Sequence, residues 1–300
     1  MPNARSLWKF SRPHTIVGTS LSVLGLYLVA IAFANIEQFP PLLPLLGTWI
    51  ACLSANIYIV GLNQLEDIEI DKINKPHLPL AAGEFSYRQG QAIVAITGIL
   101  AAILAIVQGP WLLATVAVSL ALGTAYSLPP VRLKRFPFWA SFCIFAVRGV
   151  VVNVGLFLHS AWVLGNSSPG LPPAVVGLTL FILGFAFAIA IFKDIPDIEG
   201  DKQYGIATFT IRLGTGAVFN LALRVLTACY LATVVAGSLG LPGVNPVFLA
   251  MSHLLVMTWL WWRSAEVDLE NKKAIASCYQ FIWKLFFLEY LIFPAACLFN

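Results

Sequence analysis

Charge is the scarce ingredient of this chain. Only 11% of its 300 residues are Asp, Glu, Lys or Arg, while 59% are hydrophobic. A soluble domain carries about 25% charged residues. So few cannot cover a water-facing surface, which excludes a soluble fold and predicts an integral membrane protein. Cysteine is also sparse, with Cys52, Cys143, Cys229, Cys278 and Cys297 as the full set. Their odd number, wide spacing and lack of a C-x-x-C pattern exclude a disulfide framework and a thiolate metal centre. Each lies in an apolar run and reads as a small packed hydrophobe. The opening "MPNARSLWKFSRPHT" shows no small-residue cleavage site and no long Ser/Arg-rich leader. A bacterial inner-type membrane or a thylakoid is the expected location.

Long apolar runs are abundant. A span needs about 20 mostly apolar residues. Nine are expected, at roughly 15–34, 42–62, 90–107, 110–127, 138–160, 174–193, 217–239, 245–262 and 278–298. The fold class is therefore all-α, a polytopic membrane protein with nine transmembrane helices. The links "NIEQFPP", "QGP", "GNSSPGLPP" and "GLPGVNP" carry no Lys or Arg. The other connections carry fifteen of the eighteen basic residues, and the last three fall within spans. This bias places the charged face and the N-terminus on the cytoplasmic or stromal side and the C-terminus outside. The net charge of +4 reflects the same bias and gives no reason to expect nucleic acid.

Two charged links resemble each other, "NQLEDIEIDKINKP" at 63–76 and "KDIPDIEGDKQYGI" at 193–206. They suggest one domain over 1–300 made of two helical halves, about 1–136 and 137–300, with a site between them. In the first, Asn63, Asp67 and Asp71 recur every four residues and share a helix face if the helix continues to Pro76. In the second, Asp194, Asp197 and Asp201 share a face only if the helix survives Pro196. Like charges this close need a cation among them. Hard oxygen ligands on opposed helices suit Mg²⁺, which completes its shell with water and phosphate oxygens. Lys75, Lys193, Lys202, Arg132 and Lys134 lie on the same side and can neutralise phosphate. The pattern describes a diphosphate held through magnesium. A blander reading makes both links solvated loops that set topology. It accounts for the Lys and Arg but not for two matching acidic motifs in a chain with 14 acids.

"NQLEDIEID" and "DIPDIEGD" resemble the paired Asp-rich motifs of the UbiA-like intramembrane aromatic prenyltransferases, and nine spans match that family. "KINKPHLPLAAGEFS", "GTAYSLPPVRLKRFP", "VRGVVVNVGLF" and "YQFIWKLFFLEYL" are similar to its homogentisate branch, as is Gln64, where the wider family often has Asp. The resemblance runs from "FSRPHT" to the last span. It implies transfer of the phytyl group of phytyl diphosphate to homogentisate with loss of CO₂, in a cyanobacterial thylakoid or plasma membrane. Asp67, Asp71, Asp194 and Asp201 would be catalytic. Asn63, Asp67, Asp71, Asp194, Asp197 and Asp201 would hold Mg²⁺.

The expected substrate contacts are Asn63, Lys75, Arg12, Tyr126, Arg132, Lys134, Arg148, Asn153, Lys193 and Lys202. Arg148 and Asn153 are polar at span depth, where such groups usually face a cavity; Arg148 would meet the homogentisate carboxylate or a phosphate, or else a structural ion pair. Tyr126 and Arg12 have an interfacial or topological role as the competing explanation. His159 and His253 read as satisfied structural histidines, and His14 and His77 as weak candidates. Lys284 and Glu289 would snorkel or pair with other helices. The alternatives are a geranylgeranyl or solanesyl donor and, in another class, a membrane transporter.

Overall fold

The computed structural model describes residues 4–34 and 40–300, and within them every regular element is helical. The link "NIEQFPP" falls largely on 35–39, outside the described residues. The helices are α1 (Ala4–Phe10), α2 (Pro13–Phe33), α3 (Leu42–Glu66), α4 (Ile68–Asn74), α5 (Tyr87–Gln108), α6 (Pro110–Ser127), α7 (Pro137–Phe145), α8 (Val152–Val163), α9 (Pro173–Phe192), α10 (Ile198–Gln203), α11 (Phe209–Leu213), α12 (Thr215–Ser238), α13 (Pro246–Ala265) and α14 (Lys272–Leu298). A π-helical turn, Ala146–Val151, joins α7 to α8 into one rod.

Among the described residues, eight helices are long and apolar enough to cross a membrane, the α7–α8 rod counting as one. The ninth expected span is α13, a 20-residue helix whose His253, Arg263 and tryptophans dilute its hydropathy. This is an integral, multi-pass membrane protein. Outward faces are greasy: on α5, Ile96, Ile99, Ile103 and Ile106 are all exposed. In water such a stripe is a liability, but in lipid it is the solvated face. The core lies around α9, where Phe181, Phe185 and Phe192 pack among Tyr230, Phe286 and Leu226 of α12 and α14.

Local chemistry sets the helix ends. Pro stands at the first turn of α2, α6, α7, α9 and α13, where its missing N–H costs nothing. Ser86 and Gln89 form a capping box on α5. The expectation that α3 runs on to Pro76 is corrected: it ends at Glu66, and Asp67 sits at φ −118° before α4 begins. Acids at a helix C-terminus oppose the helix dipole, whereas Glu69 and Asp71 in the first turn of α4 complement it. The second charged link repeats the arrangement. α9 ends at Phe192, Pro196 occupies the turn, and α10 opens with Glu199 and Asp201. Bridges gather the charged links at one end of the bundle: Lys9 to Glu84 at 2.6 Å, Lys272 to Glu199 at 2.5 Å, and Lys75 to Asp197.

Candidate active site

The short helices α4 and α10 pack against each other where the two charged links meet. The backbone N–H of Gly200 donates to Asn74 Oδ1 at 2.9 Å. Beside it Lys75 Nζ donates to Asp197 Oδ2. Both motifs thereby reach the mouth of one cavity of about 730 Å³, whose depths are lined by α2, α3, α6, the α7–α8 rod, α9 and α14. That volume falls within the range of small-molecule sites, about 300–1,000 Å³.

Cations surround the first motif. Asp67 Oδ1 accepts from Lys134 Nζ at 2.5 Å and Arg132 Nη2 at 3.2 Å. Its Oδ2 accepts from Asn63 Nδ2 at 2.9 Å, and Asn63 Oδ1 accepts from Arg12 Nη2 at 3.3 Å. Burial pulls the Lys134 ammonium below its ordinary value, against the attraction of Asp67. Asp71 is 5% exposed and its Oδ2 has no partner, with Lys75 Nζ 4.0 Å from its Oδ1. Burial pushes the Asp71 carboxyl up, and Arg12 and Lys75 oppose it. In the second motif Asp194 pairs with Lys193 at 3.0 Å, and burial still raises its carboxyl. Burial and then the neighbouring Asp197 push Asp201 up to about 7. Lys193 Nζ also donates to the Tyr126 oxygen at 3.5 Å.

These donors suit a hard divalent cation. They are oxygens, they come from two facing links, with Asp71 on α4 and Asp201 on α10, and the buried Asp71 Oδ2 has no hydrogen-bond partner. Among the described residues, however, no three His, Cys, Asp or Glu side chains already converge as one metal cluster. Three of the acids are instead satisfied by Lys or Arg.

Asn63, Asp67, Asp71, Lys75, Arg12, Tyr126, Lys134, Arg148, Lys193, Asp194, Asp197 and Asp201 line the cavity. Three expected substrate contacts do not. Arg132 lies behind Asp67, donating also to the Glu66 carbonyl at 3.3 Å. Lys202 points outward. Asn153 is fully buried, and its Nδ2 donates to the carbonyls of Arg148 and Gly149, both at 2.8 Å. It is a brace for the π turn, because a wide turn leaves carbonyls that need donors.

His14, a weak candidate from sequence, faces the cavity with its ring 4.8 Å from Trp283. Only its place directly after Arg12 and Pro13 hinted at this. Among the described residues, the non-glycine ones with left-handed φ are Arg12 (52°) and Arg132 (36°), both at this site. Such a backbone costs about 1–3 kcal/mol and persists where surrounding contacts fix it. One of those contacts is Gln64, whose Nε2 donates to the Phe10 carbonyl at 2.7 Å and ties the Arg12 turn to α3. His159 and His253 lie elsewhere: His159 Nε2 is 2.8 Å from Thr48 Oγ1, and His253 Nε2 is 3.2 Å from Glu289 Oε2.

Residues 23–285 match the model of the UbiA prenyltransferase family. The chain is 53% identical to the homogentisate phytyltransferase of Synechocystis sp., over 99% of this chain and 96% of that protein. It is 44% identical to the chloroplastic homogentisate phytyltransferase 1 of Arabidopsis thaliana, over 96% of this chain and 74% of that one. In fold it is similar to a UbiA homolog from Archaeoglobus fulgidus bound to GPP and Mg²⁺, with a TM-score of 0.67, 16% identity, and 97% of this chain and 99% of that chain covered.

Proposed function

The chain belongs to the UbiA prenyltransferase family, and we propose that it transfers the phytyl group of phytyl diphosphate to homogentisate. The products are 2-methyl-6-phytyl-1,4-benzoquinol, CO₂ and pyrophosphate. One observation carries the reading: α4 and α10 bring both carboxylate motifs and their lysines to the mouth of a cavity that is apolar further in. A diphosphate suits that mouth and a long hydrocarbon chain suits the interior. The names of the two relatives supply the donor and acceptor.

Asp71, Asp194 and Asp201, with Asn63, Asp67 and Asp197 beside them, would hold the divalent ions, magnesium by the hardness of the donors. Bound there, such ions neutralise diphosphate oxygens and make pyrophosphate a better leaving group. Lys75, Lys134, Lys193 and Arg12 add fixed positive charge at the same end. The allylic C–O bond breaks and pyrophosphate departs. Apolar walls keep water from the allylic cation, and the rings of Trp283, Tyr279 and Phe286 on α14 face the space it occupies. A ring carbon of the acceptor forms the new C–C bond and loses its proton. The side-chain carboxylate leaves as CO₂ while the methylene carbon gains a proton.

We read the chain as one unit of two helical halves, each contributing a long helix, a break and a short acidic helix. The charged face and N-terminus are placed on the cytoplasmic side of a thylakoid or plasma membrane. The test is turnover of homogentisate with phytyl diphosphate in membranes that contain the chain. The expected product is the methyl-phytyl-benzoquinol; no prenylated product from folded protein would overturn the reading.

A further inference from the structure

Among the described residues, Arg148 forms no ion pair. It projects from the π turn into the cavity. Its guanidinium carbon lies 4.9 Å from the centre of the Trp283 ring. Among the described residues Asp67, Asp71, Asp194 and Asp197 pair instead with Lys75, Arg132, Lys134 and Lys193, and no ion pair joins Asp201 to Arg148. Arg148 is half-buried on the cavity wall, and a guanidinium there without a counter-charge is a ready partner for an anionic ligand.

Its backbone is fixed from three directions. Asn153 on α8 donates to the carbonyls of Arg148 and Gly149, and Tyr290 on α14 donates its hydroxyl to Asn153 Oδ1 at 2.9 Å. Gly149 lies so close to α9 that an added Cβ would come 2.6 Å from Leu183 Cα. π turns of this kind concentrate at functional sites.

We infer that Arg148 is the seat of the acceptor's carboxylate, with the acceptor ring lying against Trp283 and His14. The inference rests on the reading of homogentisate as acceptor. The diphosphate end already holds cavity-lining cations of its own, Lys9, Arg12, Lys75, Lys134 and Lys193. Arg148 makes a second anion site beside aromatic rings, and the guanidinium fork matches a carboxylate in bidentate fashion. This pairing suits a small aromatic acid. Asn153 and Tyr290 are positioning residues that hold the turn. Loss of CO₂ removes the group Arg148 grips, so the product leaves without that contact.

The experiment compares wild type, Arg148→Met and Arg148→Lys in steady-state kinetics, with the methyl ester of homogentisate as a neutral competitive inhibitor. Arg148→Met should raise the KM for homogentisate by about ten- to a hundredfold, the worth of a charge-assisted hydrogen-bonded pair. The KM for phytyl diphosphate and inhibition by the quinol product should stay unchanged. Wild type should prefer homogentisate to the ester, and Arg148→Met should bind them alike. Arg148→Lys keeps the charge, loses the fork, and should fall between; it carries the test if the Met variant does not fold. A rise in the donor KM alone would overturn the assignment, as would equal loss for acid and ester, or no change while wild type turns over homogentisate. A wild type that prenylates other acceptors but not homogentisate would overturn the functional reading and this inference together.

Discussion

Replacing Gly200 by Ala separates the two motifs without touching a charge. Gly200 is in α10, and its N–H is the donor to Asn74 of α4. A Cβ there would lie 2.5 Å from Asn74 Oδ1 and 2.6 Å from its Cγ, against an ordinary contact of 3.4 Å or more. Either Asn74 rotates away and abandons the bond, or the helices part by about 0.9 Å. On helix propensity alone Ala gains about 1 kcal/mol over Gly, so any loss comes from the clash. A displacement near 1 Å in a catalytic constellation costs about 10²-fold in rate. Prenyl transfer at saturating substrates should fall by that order in Gly200→Ala, with the detergent-solubilised protein still melting cooperatively. Asn74→Ala removes the obstacle and loses one hydrogen bond, about 1 kcal/mol. The double variant should resemble Asn74→Ala, because residues in contact are not additive. Wild-type turnover by Gly200→Ala, or losses that multiply in the double variant, would refute the reasoning.

Asp67→Ala and Asp194→Ala should each abolish turnover while the protein remains folded in the membrane; near-normal activity from either would remove the carboxylate clamp. Metal demand should depend on pH. Burial and Asp197 push the Asp201 carboxyl up to about 7, and burial raises Asp71 as well, so below pH 7 protons compete for the ligand oxygens. The magnesium concentration for half-maximal rate should rise by about tenfold for each pH unit below 7, and a flat requirement from pH 8 to 6 would contradict this. Glu289→Leu strands His253, which is 0% exposed, away from the cavity. Leaving a buried donor without its hydrogen-bond partner costs about 1–3 kcal/mol, so the melting temperature should drop while the donor KM holds; an altered KM with unchanged melting would assign the pair to the site.

Much of this was legible because the signals were local. Apolar runs bounded by Pro, Gly and charge place the spans, and α13 was found within a residue or so at its start (245 against Pro246). The cavity-lining acids were legible from a duplicated pattern. The break at Asp67 was not, because helical spacing and helix-dipole opposition coexist in "LEDIEID" and only the second decides where α3 stops. The 138–160 span read as one regular helix, since "AVRGVV" is as apolar as its flanks and a π turn leaves no compositional mark. Asn153 shows the limit of inferring function from a polar residue at membrane depth: the same need for a partner is met by the backbone of a wide turn. His253 and Glu289, 36 residues apart, pair only because α13 packs on α14. Of the two outcomes the sequence allows for Glu289, snorkelling or pairing with another helix, the structure shows the pair.

The most direct measurement offers phytyl, geranylgeranyl and solanesyl diphosphates side by side to membranes containing the chain, with homogentisate and Mg²⁺, with and without EDTA. The expected result is a phytylated methylbenzoquinol formed at the highest kcat/KM of the three donors and lost on adding EDTA. No prenylated product from any donor, or a product whose yield ignores EDTA, would contradict a diphosphate held through metal between the two carboxylate motifs.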